Sequence, residues 1–157
     1  MSITLSLAGP EDAHTIHDMQ IRAFAPLLEK YRDTNTSPAS ESVKDVRRRI
    51  EQPFTDYYVI QKDAKTVGAI RIVRSESRCR VSPVFVLPEY QGRGIARETF
   101  KWIEAMYADA PRWELDTVLQ EEGNCRLYES LGYRRFGEHK VVNERMTLVY
   151  YEKEMGR

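Results

Sequence analysis

Two glycines one residue apart, Gly92 and Gly94, separate an apolar run ending at Pro88 from an amphipathic segment, in VFVLPEYQGRGIARETF (residues 84–100). A strand that runs through such a turn into a helix leaves the first helical amides unpaired, at the positive end of the helix dipole. Glycine removes the side chains that would obstruct approach, and Arg93 and Arg97 add positive charge. The turn suits an anion, in particular a diphosphate. Its spelling fits neither common nucleotide loop. No Lys-Ser or Lys-Thr follows the glycines, as a P-loop requires, and Arg97 stands where the dinucleotide fingerprint needs a third Gly or Ala. Taken alone, the two glycines are equally well explained as a tight strand–helix turn.

Other side chains suited to chemistry are few. Glu114 and Asp116 alternate in WELDTVL and so face the same way. Carboxylates in a central strand are costly to bury, which makes both candidate general bases. The alternative is a solvated face, or pairing with Arg112 or Arg134. Glu76, in the turn before the residue 80–87 run, is a further candidate. His14 and His17 stand one helical turn apart without a third ligand, so they are expected to face solvent, and no metal is expected. Cys79 and Cys125 form no C-x-x-C pair and are expected as free packing thiols. KDVRRR (residues 44–49) is expected to form a solvated helix face.

The elements that must position these residues follow from periodicity. Strand patterns occupy residues 3–8, 57–61, 66–74, 80–87, the WELDTVL segment, 133–142 and 146–152. The turn KDAK joins the second and third as a hairpin, and the last two suit a closing hairpin. Helical spacing follows Gly9-Pro10 through Ala13, Ile16, Gln20, Ala23 and Phe24, and recurs over residues 41–51. The polar stretch at residues 31–42 reads as a mobile loop. After Gly94, Ile95, Thr99, Trp102, Ile103, Met106 and Tyr107 form one stripe, ended by Pro111. In EEGNCRLYESLG, Asn124, Leu127, Tyr128 and Leu131 share a face, and Gly132 stops the helix. The order β-α-α-β-β-β-α-β-α-β-β implies an α/β (α+β) fold: a mixed, largely antiparallel sheet of about seven strands with helices on both faces.

The chain has 157 residues, 41% hydrophobic and 31% charged, which suits one domain over residues 1–157. Lys plus Arg and Asp plus Glu are both 24, so no basic field favours nucleic acid. No apolar run approaches the length of a membrane span, and the first residues lack a signal-peptide pattern. Neither nucleic acid nor membrane is an expected partner, and the expected compartment is the cytoplasm.

About thirty residues after the glycine turn, past one more strand, stands NCRLYESLGY. This pair of motifs resembles the GNAT superfamily of acyl-CoA-dependent N-acyltransferases. That signature is a strand ending in V-x-P, then [QR]-x-x-G-x-[GA] opening a helix, then a strand and an LYExLGF-like helix end. Here it is spelled Val86-Leu87-Pro88, Gln91-Gly92-Arg93-Gly94-Ile95-Ala96 and Leu127-Tyr128-Glu129-Ser130-Leu131-Gly132-Tyr133. The element order matches the GNAT fold, so the resemblance covers nearly the whole chain.

The resemblance implies acetyl-CoA as co-substrate. Its pyrophosphate would sit on the amides of Gln91, Gly92, Arg93, Gly94, Ile95 and Ala96, with Arg97 beside them. Its pantetheine would lie along the backbone of Phe85, Val86 and Leu87. Tyr128 would be the general acid that protonates the leaving thiolate. A backbone N–H near Val86 would stabilise the oxyanion. Many members carry an Asn seven residues before this tyrosine. Glu121 stands there instead, and Asn124 is expected to take part of that role near the cofactor.

The implied function is direct transfer of an acetyl group to a primary amine, with a small-molecule amine or a peptide as acceptor and a monomer or homodimer as the working unit. Two alternatives belong to other classes. One is a non-catalytic coenzyme A-binding or sensing domain of the same fold; the other is a nucleotide-binding protein that uses the turn differently.

Overall fold

Alternation along the central strands divides the core in two. Tyr57, Val59, Ala69 and Phe85 pack on one side of the sheet, and Ile60, Ile70, Ile72 and Val86 on the other. The computed structural model describes residues 3–33 and 37–155. Among them are the strands β1 (Thr4–Leu7), β2 (Thr55–Lys62), β3 (Lys65–Arg74), β4 (Cys79–Val86), β5 (Arg112–Val118), β6 (Arg134–Asn143) and β7 (Met146–Glu154). The helices are α1 (Ala13–Tyr31), α2 (Val43–Glu51), α3 (Ile95–Met106) and α4 (Glu122–Ser130). Helices α1 and α2 cover the first face through Ala13, Ile16, Met19, Ala23 and Val46. Helices α3 and α4 cover the second through Ile95, Phe100, Ile103, Cys125 and Tyr128. Each fully buried aliphatic or aromatic side chain stabilises the fold by about 1.5–3 kcal/mol.

Local chemistry sets the ends of these elements. At the start of α2 the Ser42 hydroxyl accepts from the Asp45 N–H at 3.1 Å, and the Asp45 carboxylate accepts from the Ser42 N–H at 3.0 Å. This reciprocal cap satisfies two otherwise orphaned donors. Asp63 and Ala64 both take positive φ, 53° and 66°, as a two-residue hairpin turn between β2 and β3 requires.

The seven strands form one sheet in the order β1-β2-β3-β4-β5-β7-β6. All neighbours are antiparallel except β4 and β5. That parallel pair meets only at Cys79↔Trp113 and Arg80↔Glu114. Beyond Arg80 the two strands part, which leaves a notch in the middle of the sheet. On its other edge, β4 bulges against β3 between Ile70 and Ile72. Arg71 holds this bulge: its Nη1 donates to the Ser82 carbonyl at 2.8 Å, and its Nη2 donates to Gln52 Oε1.

Gly68 opposes Val86 on β4, and a Cβ placed there would lie 2.2 Å from the Phe85 carbonyl oxygen. The strands approach this closely only because Gly68 has no side chain. Gly68→Ala is therefore expected to cost about 1–3 kcal/mol through a forced backbone shift. Each kcal/mol lowers the melting temperature by about 2–4 °C in a chain of this size. An unchanged melting temperature would contradict the close approach.

Several sequence expectations need correction. Trp102 and Met106 are exposed rather than on the buried stripe of α3, and Phe100 takes their place. Leu7 is 65% exposed, so the alternation of the first strand does not bury its third apolar residue. The buried residues of α4 are Cys125 and Tyr128, whereas Asn124 is exposed. In the polar stretch at residues 31–42, Tyr31 is the buried last residue of α1 and Pro38–Ser40 form a 3-10 turn. Residues 34–36 of that stretch lie outside the described residues. No helix among the described residues is long and apolar enough to cross a membrane.

Candidate active site

The Leu87 N–H donates to the Val67 carbonyl at 2.8 Å, so β4 directs the backbone of Leu87 and Phe85 toward β3. The intervening residues Val84 and Val86 therefore direct theirs away from β3, into the notch, where β5 offers no partner. The Gln91 side chain closes the end of this row: its Nε2 donates to the Val86 carbonyl at 2.9 Å. The Val86 N–H is left facing the notch. The side chains of Phe85, Val86 and Leu87 are buried, so this stretch meets the notch through its backbone.

Directly after it, α3 begins at Gly94 without a side-chain cap. Gly92 and Gly94 both adopt left-handed conformations, with φ 76° and 81°. Gln91, Gly92, Arg93 and Gly94 are exposed, Ile95 is buried and Ala96 half-buried. The amides of Ile95, Ala96 and Arg97 form the open end of the helix. Arg93 lies over the Tyr90 ring, 5.4 Å from its centroid, and Arg97 Nη2 donates to Ser130 Oγ at 2.9 Å. The second bond ties the start of α3 to the end of α4.

The notch opens into a cavity of about 460 Å³, a size that suits a small-molecule ligand. α1 supplies Phe24, Leu27, Leu28 and Tyr31; β4 supplies Arg80 to Val84; β5 supplies Leu115 to Val118. Tyr128 and Asn124 enter from α4, and Leu148 and Tyr150 from β7. The Tyr128 ring is fixed by edge contacts with Phe100 and Tyr133, at centroid distances of 5.6 and 6.2 Å, and by Tyr151 at 6.0 Å. Its hydroxyl has no hydrogen-bond partner among the described residues. Burial, and then the charge of Asp116, push its pKa well above the ordinary tyrosine value, so it stays protonated.

Residues 27–155 match the family described as Acetyltransferase (GNAT) domain. The chain belongs to the GNAT acetyltransferases. Its fold is shared with many solved structures. They include a ribosomal-protein-S18-alanine N-acetyltransferase from Escherichia coli (TM-score 0.79, 14% identity, covering 99% of this chain and 96% of that one). An acetyltransferase from Thermus thermophilus has a TM-score of 0.77 and 15% identity, over 99% and 98% of the two chains. A spermidine N-acetyltransferase from Vibrio cholerae, in complex with CoA and spermine, has a TM-score of 0.75 and 16% identity, over 97% and 95%. No curated protein matches the chain in sequence.

Within this GNAT site the two β5 carboxylates part company. Asp116 lines the cavity and accepts from Arg80 Nη2 at 2.7 Å through Oδ2, leaving Oδ1 without a partner among the described residues. Glu114 is buried outside the cavity lining, with Arg112 Nη2 at 2.7 Å and Arg78 Nε at 3.3 Å. It is the paired carboxylate that the sequence offered as an alternative. Glu76 is exposed in the bend after β3.

Glu121 does not touch the cavity as an Asn substitute would. It clamps two helices together. Its carboxylate accepts from the Tyr31 hydroxyl at 2.5 Å and from Lys30 Nζ at 3.0 Å, while its backbone carbonyl accepts from the Asn124 and Cys125 N–H groups. The α1 wall of the cavity is thereby fixed to the helix that carries Tyr128. Sequence reasoning missed Arg80, Tyr31 and the side-chain role of Gln91. Arg80 and Tyr31 act through contacts with segments 36 and 90 positions away, which no local pattern announces.

The remaining candidates fall elsewhere. His14 is exposed, but His17 is half-buried and its Nε2 donates to the Glu41 carbonyl at 2.8 Å, so only one of the pair faces solvent. Lys44, Arg47 and Arg48 line a separate surface depression with His14, and Arg49 pairs with Glu41. Cys79 and Cys125 are free and buried. Among the described residues no three His, Cys, Asp or Glu side chains converge on a common point.

The buried tyrosines carry a pH prediction. Burial raises the pKa of Tyr57, Tyr107, Tyr128 and Tyr133, and pushes Tyr151 up to about 12. The fold thus favours their neutral form, whereas the unfolded chain loses these protons near pH 10. The stabilisation is complete below about pH 10 and declines as pH rises toward the folded-state values. Urea midpoints measured from pH 8 to 11 should stay level and then fall above about pH 10. A midpoint that held steady to pH 11 would count against the burial of these hydroxyls.

Proposed function

We propose that this protein is an N-acetyltransferase that moves an acetyl group from acetyl-CoA to a primary amine by direct attack in a ternary complex. One observation carries the reading. The notch-facing backbone of Val84 and Val86 runs from the open end of α3 to the cavity that Tyr128 lines.

Membership of the GNAT acetyltransferases implies use of acetyl-CoA, and the residues present fit it. Gln91 to Arg97 would hold the pyrophosphate on uncapped amides, helped by the dipole of α3. The backbone of Phe85, Val86 and Leu87 would carry the pantetheine arm, with Val84 and Val86 offering the free strand edge. When bound there, acetyl-CoA supplies an activated thioester at the mouth of the cavity.

The protein's own groups then divide the proton work. Asp116 receives the proton of the acceptor ammonium, which must be neutral to attack, while Arg80 holds the carboxylate in place. The Val86 N–H, aimed into the notch, donates to the carbonyl oxygen as negative charge develops there. Tyr128 donates its proton to the departing sulfur. Tyr128 recovers its proton from the attacking nitrogen, which sheds a second one as it becomes an amide, so that one proton of the ammonium ends on Asp116 and the other on the departing thiol. Glu114, held by two arginines away from the cavity, takes no part. Asn124 lines the cavity one helical turn before Tyr128 and would contact the cofactor arm or the acceptor.

Acetyl-CoA is expected to raise the melting temperature. At a hundredfold excess over Kd the stabilisation is about 2.7 kcal/mol, or roughly 5–11 °C for a chain of this length. ATP at the same concentration should give no comparable shift. No stabilisation at millimolar acetyl-CoA, or a larger one with ATP, would overturn the reading.

A further inference from the structure

The cavity contains apolar surface that the fold does not use. Leu27 and Leu28 on α1, and Met146 and Leu148 on β7, all line it. Met146 is already buried in the core, whereas Leu27, Leu28 and Leu148 are half-buried and join neither core cluster. Half-buried apolar side chains that line a cavity outside a core leave surface for a ligand to cover. The rings of Phe24, Tyr31 and Tyr150 border the same space.

Among the described residues, the charges lining the cavity balance. Asp33 and Asp116 are the acidic residues, Arg80 and Lys140 the basic ones. Asp116 and Arg80 neutralise each other at 2.7 Å, and Asp33 is buried and partnered. Such a lining offers no row of unpaired carboxylates for a second or third ammonium group, whose desolvation would then go uncompensated.

We propose that the acceptor is a monoamine on an apolar body, an arylalkyl or branched-alkyl amine, rather than a polyamine. The amine meets Asp116 and the apolar body covers Leu27, Leu28 and Leu148. The acetyl-transfer reading is needed only for the amine to be an acceptor; the binding preference belongs to the cavity itself.

The test is therefore a binding measurement made without acetyl-CoA. Phenethylamine and spermidine are titrated separately into the protein and followed by NMR, with methyl shifts of Leu27, Leu28 and Leu148 as the readout. Phenethylamine should bind at least about tenfold more tightly than spermidine, the scale on which hydrophobic pockets discriminate. Leu28→Glu should weaken phenethylamine about tenfold and strengthen spermidine. Leu148→Ala should weaken phenethylamine without helping spermidine. Spermidine binding as tightly as phenethylamine would overturn the proposal, as would phenethylamine affinity unmoved by both substitutions. A failure of acetyl-CoA to bind or react leaves this result intact, and so separates the two readings.

Discussion

Replacing Tyr128 with phenylalanine lowers kcat for acetyl transfer by about a hundredfold or more, while the melting temperature and the stabilisation by acetyl-CoA stay close to those of the natural protein. The magnitude is what a positioned general acid contributes. The selectivity follows from the surroundings of the ring. Phe100, Tyr133 and Tyr151 pack around it, and a phenylalanine keeps those contacts. The hydroxyl has no hydrogen-bond partner among the described residues, so its removal leaves none of them orphaned. Burial, and then the charge of Asp116, hold the pKa of the hydroxyl above the ordinary tyrosine value. Activity of the natural protein should accordingly lack a falling limb from Tyr128 below about pH 10, where an unperturbed tyrosine would begin to ionise. A Tyr128→Phe variant with unaltered kcat would reduce this residue to a packing role.

Gly94→Glu abolishes the acetyl-CoA shift. The residue caps α3 with φ 81°, so any side chain there adopts an unfavourable left-handed conformation. A glutamate also brings negative charge and bulk to the helix end proposed to hold the pyrophosphate. The loss should amount to the whole of the roughly 5–11 °C stabilisation expected for the natural protein at a hundredfold excess over Kd. Gly94→Ala separates the two causes, since it strains the turn without adding charge and should retain part of the shift. If Gly94→Glu bound acetyl-CoA as tightly as the natural protein, the pyrophosphate would have to sit elsewhere.

The parts of the fold that were legible in the sequence are those decided locally. The KDAK hairpin was readable from its turn residues, and the structure places Asp63 and Ala64 at the positive φ such turns need. Gly132 reads as a helix stop, and it follows α4 at φ 99°. The glycine turn and the LYESLGY segment were readable together because each is a continuous stretch whose spelling is tied to its backbone. Contacts between distant segments were not legible. The parallel β4–β5 pair rests on two residue pairs 34 positions apart, and nothing in either strand announces where they separate. The clamp from Tyr31 to Glu121 spans 90 positions, and the pairing of Arg80 with Asp116 spans 36. Periodicity also misassigned Trp102 and Met106, because α3 covers the sheet with a narrower stripe than the spread of its apolar residues suggests. Asn124 followed the helical spacing of Tyr128 but sits at the cavity rim, exposed, where a face-sharing argument cannot tell core from site.

The most direct measurement is release of free thiol from acetyl-CoA when amines are added to the protein in a single turnover. One equivalent of coenzyme A per site is expected with an apolar primary amine such as phenethylamine, and an N-acetylated product of matching amount. The Tyr128→Phe variant should release it about a hundredfold more slowly. Acetyl-CoA that raises the melting temperature but yields no thiol with any class of amine would contradict catalysis, and would make the protein a coenzyme A-binding domain instead.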